Sequence, residues 1–152
     1  MKRTLSILLT IAMIISLIPA VFAADVPTMS TTVDKTEVQP GDTITLTLSI
    51  DKTITNLNNW EWAIYFDKTA YVKTSGELEP GCMSGTGTTG AVGDNVDILG
   101  KNAIRVSGLS TTGDPVTLNA GKIATVTFMA TENITAENAR IEVKTEALPD
   151  YD

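Results

Sequence analysis

Histidine is absent from this 152-residue chain, and cysteine occurs once, at Cys82. Without imidazole, Ser-His-Asp triads, Cys-His pairs and ordinary zinc sites are out of reach. A single thiol builds no internal disulfide, so the fold must rest on its core. Cations are scarce: 11 Lys and Arg face 18 Asp and Glu, a net charge of −7. That balance disfavours nucleic acid and anionic membrane as partners, since both need clustered Lys and Arg. Helical periodicity is missing too. The nearest attempt, 135–139, is too short for more than one turn.

The first residues read as a targeting segment. Lys2 and Arg3 make a basic start, Leu5 to Ile18 is apolar apart from Ser6, Thr10 and Ser16, and Pro19 breaks the run. Val21-Phe22-Ala23 supplies the small residues a signal peptidase reads. A signal peptide over 1–23 is therefore expected, with Ala24 as the second cutting point. The apolar run is short of the roughly 20 residues that span a bilayer, and no Cys follows it to carry a lipid. The remaining domain, 24–152, keeps 9 cationic and all 18 acidic residues, a net charge of −9.

Period-two alternation dominates this domain. Thr43 to Ile50 alternates hydroxyl and aliphatic residues without a fault, after the tight turn Pro40-Gly41-Asp42. Met29 to Val38 reads as a strand broken near Asp34-Lys35. Asn59 to Asp67 places Trp60, Trp62, Ile64 and Phe66 on one face and Asn59, Glu61, Ala63 and Tyr65 on the other. Further strands are expected over 103–109, 123–130 and 140–145, with Ala124, Val126 and Phe128 inward. The fold class is all-β, an antiparallel sandwich, with Trp60 and Trp62 as its largest core pieces beside Leu46, Leu48, Phe66, Val126 and Phe128.

Gly85-Thr86-Gly87-Thr88-Thr89-Gly90 matches the glycine string of dinucleotide-binding loops. That string works only between a strand and a helix N-terminus. Here it is expected in a long loop, 75–94, with no helix to follow, so no nucleotide site is expected. The acids lie singly in turns (Asp34, Asp42, Asp51, Asp67, Asp114), where Asx-type capping accounts for them, rather than as a catalytic pair. Asp94-Asn95-Val96-Asp97 lacks EF-hand spacing and reads as a solvated turn, Cys82 as an incidental loop residue, and Asn133-Ile134-Thr135 as a sequon by pattern only. Neither a catalytic nor a metal site is expected.

What remains is surface recognition, through the outer face of the 59–67 strand. Val38-Gln39-Pro40-Gly41-Asp42-Thr43-Ile44-Thr45-Leu46 resembles the "kPGDtvtvpv" opening of cohesin domains. Asn58 to Asp67 resembles their "GnaDFvltYDp" strand, and Ala120 to Phe128 their "dGvlATitF" strand. Order and spacing fit over about 29–148.

The resemblance implies a jelly-roll sandwich and a non-catalytic receptor module of bacterial scaffolds that degrade plant polysaccharides. Such modules bind dockerins, whose own loops hold calcium; no cofactor is implied on this chain. The family's dockerin-contacting Asn and Asp fall on Asn59 and Glu61. Alternation adds Ala63 and Tyr65, then Arg105, Ser107 and Leu109 from the next strand, and Glu142, with Arg140 and Lys144, from the last. The family ends in a further "dGsvtV"-like strand without a counterpart here. The sandwich is thus expected to lack its final strand and leave the first strand's edge open, as in a piece of a longer scaffold. Two other readings stay open. A carbohydrate-binding module would need exposed stacking aromatics, for which Tyr65, Tyr71 and Tyr151 remain. An immunoglobulin-like spacer or adhesin would have no ligand of its own.

Overall fold

The alternating run Thr43–Ile50 forms strand β4 with every aliphatic side chain buried and every hydroxyl residue outward. The computed structural model describes residues 7–8, 27–98 and 101–145. The predicted cleavage site and the residues after 145 lie outside this range. Around β4, in chain order, are β1 (Ile7–Leu8), β2 (Met29–Val33), β3 (Glu37–Val38), β5 (Ile54–Leu57), β6 (Asn59–Tyr65), β7 (Tyr71–Leu78), β8 (Met83–Ser84), β9 (Thr88–Ile98), β10 (Lys101–Ser110), β11 (Val116–Leu118), β12 (Gly121–Ala130) and β13 (Glu142–Thr145). All pairings described are antiparallel.

Two four-stranded sheets, β2-β4-β12-β7 and β13-β6-β10-β9, make an all-β sandwich, with β5-β11-β8 as a smaller third sheet and β1-β3 as a short ladder. The strand break expected near Asp34-Lys35 separates β2 from β3. Among the described residues, strand β2 stands at the edge of its sheet and pairs with β4. Between the main sheets lie Ile44, Leu46 and Leu48 from β4, Val126 and Phe128 from β12, Trp60, Trp62 and Ile64 from β6, and Ile104 and Val106 from β10. Phe66 and Phe128 meet edge-to-face with ring centroids 5.2 Å apart, joining the layers. Strand β8 lays Met83 over Trp60, whose indole N–H donates to the thioether at 3.2 Å.

The segment 75–94 is not a long loop. It contains the end of β7, all of β8 and the start of β9. Gly85 and Gly87 turn the chain at positive φ, but Thr88, Thr89 and Gly90 belong to β9. Gly76 sits inside β7 because a Cβ there would come within 2.4 Å of Val92 on β9. The two strands close one side of the sandwich, where Lys73 Nζ donates to the Gly93 carbonyl at 2.7 Å. Gly76 thus serves close approach between the sheets. Asp94 to Asp97 likewise lies in β9 rather than in a turn. The last strand begins at Glu142 instead of 140, behind a helical turn closed by Ala139 N–H donating to Thr135 C=O at 3.0 Å.

Two turn carboxylates hold loops in place. The Gln39 N–H, and after it the Lys35 ammonium, keep the Asp42 carboxyl below its ordinary range. The Thr69 hydroxyl and N–H do the same for Asp67. A depressed folded pKa gives stability that is present above the unfolded value of about 4 and is lost as pH falls through the folded one. Urea midpoints should therefore drop on acidification below about pH 4, and drop less steeply in Asp42→Asn. An identical acid limb in the variant would remove Asp42 from this role.

Candidate functional site

Antiparallel register decides which outward side chains of the second sheet meet. Opposite Asn59 stands Leu109, opposite Glu61 stands Ser107, and opposite Tyr65 stands Ala103. On the other flank, Glu142 faces Tyr65 and Lys144 faces Ala63. The eight residues predicted from alternation thus lie on one continuous face. Glu61 Oε1 receives Arg105 Nε at 3.2 Å. Glu142 Oε1 lies 3.5 Å from Lys144 Nζ and 3.7 Å from Arg140 Nη2. Lys144 also stands 5.6 Å over the Tyr65 ring, within reach of a cation–π contact. Leu109 is exposed at the Asn59 end.

Ala63 corrects one expectation. It points to this face but is 0 % exposed. Its short side chain forms a floor with Ala103 against Tyr65, between the longer Arg105 and Lys144 opposite it. It offers no contact surface of its own.

An open depression of about 360 Å³ lies at the Tyr65 end, lined by Tyr65, Phe66, Asp67, Lys68, Asn102 and Arg140 among others. Asn102 and Lys68 escaped sequence reasoning because strand ends 34 positions apart meet only through the β6–β10 pairing. Asp67, the first residue of a turn, was the one available signal.

The aromatics left for sugar stacking are fewer than expected. Tyr71 is buried, and its hydroxyl donates to the Ala139 carbonyl at 3.0 Å. Burial pushes that hydroxyl up to about 12. A raised folded pKa gives stability that is complete below the ordinary value of about 10 and is lost as pH rises through the folded one. Alkaline absorbance titration should show a tyrosine ionising near pH 12 or on unfolding, and Tyr71→Phe should delete it at a cost of about 1 kcal/mol. Tyr151 lies outside the described residues. Trp60 and Trp62 are 3 % and 5 % exposed, which leaves Tyr65 as the one aromatic not buried among the described residues.

Cys82 lies in the bend between β7 and β8 and is buried there; its N–H donates to Glu79 C=O at 3.0 Å, and burial pushes its thiol up. No group of three or more His, Cys, Asp or Glu that could hold a metal occurs among the described residues.

The fold and face define an all-β antiparallel sandwich with an ion-paired outer sheet. No protein-family model matches the chain, and no curated protein matches it. Solved structures of similar shape include type II cohesin modules of Acetivibrio cellulolyticus. The second type II module of an adaptor scaffoldin is 19 % identical, with 82 % of this chain and 73 % of that one covered and a TM-score of 0.49. A type II cohesin domain from the cellulosome is 17 % identical, with 82 % and 77 % covered and a TM-score of 0.47. A type II cohesin-X-dockerin complex, an N-terminal interface mutant, is 18 % identical, with 81 % and 79 % covered and a TM-score of 0.46.

Proposed function

We propose that this chain is a secreted, non-catalytic, cohesin-like module that binds a dockerin-bearing protein in an extracellular polysaccharide-degrading assembly. The β6–β10 pairing carries this reading. It sets Asn59, Glu61, Ser107, Arg105 and Leu109 on one rigid surface, with Glu61 already held by Arg105. A sheet face of that kind docks a helix without backbone rearrangement, so little ordering cost opposes binding. The three ordered motifs over about 29–148 support the same reading. No cofactor is assigned to this chain; calcium belongs to the partner.

The deciding experiment is a pull-down of the purified domain with a panel of dockerins, with and without calcium, beside a polysaccharide gel-shift. Calcium-dependent capture of a dockerin supports the reading. Retardation by polysaccharide without dockerin capture would favour a carbohydrate-binding module, and neither result a spacer. One exposed-side aromatic among the described residues is a poor stacking platform, which weighs against sugar as the ligand.

A further inference from the structure

The charges on the recognition face are layered. Its acids lie low: the Glu61 side chain is 31 % exposed and that of Glu142 is 17 % exposed. Its cations stand above them, with Arg105 at 51 %, Arg140 at 50 % and Lys144 at 43 %. Each acid is ion-paired with a neighbouring cation, so its negative charge is answered within the sheet, while each cation remains partly exposed to solvent. Both arginines of the domain after residue 23, Arg105 and Arg140, lie here. This occurs in a domain whose net charge is −9. A cationic tier on an acidic protein is the reverse of what composition leads one to expect.

We infer that the partner of this face is a protein presenting an acidic surface, with carboxylates that meet Arg105, Lys144 and Arg140. The inference deepens the reading of the preceding subsection and rests on it for the location of docking. Arginine suits the task because its planar fork takes a carboxylate in two parallel hydrogen bonds. Arg105 uses Nε toward Glu61, and Arg140 approaches Glu142 through Nη2 at the longer 3.7 Å. Glu61 and Glu142 then act as positioning residues that hold the cations upright. The remainder of the domain, being acidic, repels an acidic partner everywhere else and so directs it to this sheet. Leu109 supplies an apolar contact at the far end, giving the docking surface polarity along β10.

The test has two arms. In the first, the ¹⁵N-labelled domain is titrated with an Asp/Glu-rich peptide, and separately with polygalacturonate at equal carboxylate concentration. Saturable amide shifts confined to β6, β10 and β13 are expected from the peptide. They should weaken at least tenfold in Arg105→Glu/Arg140→Glu and persist in Lys35→Glu/Lys122→Glu, which makes the same change in net charge away from this face. A peptide that shifts none of these amides, or that shifts the reversed variant equally, overturns the inference. Stronger shifts from polygalacturonate also overturn it, in favour of an acidic polysaccharide. In the second arm, dockerins with acidic and with basic docking helices are titrated at low and high salt. The acidic set should bind, more weakly by at least tenfold at high salt; binding by the basic set alone overturns the inference. If no dockerin binds while the peptide still does, the cohesin-like reading fails and the acidic-partner surface stands.

Discussion

Trp62→Ala is expected to cost about 3–5 kcal/mol and to lower the urea midpoint in proportion. Trp62 projects inward from β6, is 5 % exposed, and lies with its ring centroid 5.2 Å from that of Trp60. Indole removal leaves a cavity between two sheets whose backbones are fixed by continuous ladders on both sides of β6, so little collapse can refill it. A single domain has only about 5–15 kcal/mol in hand, and the described thiol, Cys82, is free, so no crosslink offsets the loss. Urea unfolding followed by far-UV circular dichroism measures the effect. A variant that keeps its midpoint but loses binding would place Trp62 on a ligand-contacting surface instead.

The second large effect is expected at the face, with the fold left intact. Asn59→Ala with Glu61→Ala should weaken dockerin binding about tenfold or more, the loss of a central contact costing upward of 2 kcal/mol. Asn59 is exposed and Glu61 partly so. The ion pair with Arg105 is solvent-accessible on both sides, where such pairs contribute about 1 kcal/mol or less. Stability should therefore change little. Affinity suffers twice, because the double variant removes two polar contacts and also releases Arg105 from its support. Titration calorimetry on wild type and variant decides it. Equal affinities would move the docking site off this face.

Much of the sandwich was legible because strand alternation is a local property. In Thr43–Ile50 the pattern by itself separates core from solvent, and the same rule placed Trp60, Trp62, Val126 and Phe128 inward without reference to any partner strand. It also put Asn59, Glu61 and Tyr65 outward, and so named the face. Where alternation lapsed, legibility lapsed with it. Glycine and threonine over 75–94 look like a loop, yet Gly76 is required by Val92 across the sandwich, a contact between residues 16 positions apart. Tyr71 looked available for stacking, but the turn before β13 brings the Ala139 carbonyl to its hydroxyl.

What the sequence determined by itself is the fold class, the inward set of side chains and the outward stripe on β6, all consequences of a two-residue period acting within each strand. Only the tertiary structure decided that Arg105 meets Glu61, that Lys144 covers Tyr65, that Ala63 is sealed beneath its neighbours, and that cations stand above acids on the shared face. Those facts follow from the register of β6 with β10 and β13. Register is set by packing between distant segments, because every two-residue shift of a strand preserves its own alternation while changing which side chains it opposes.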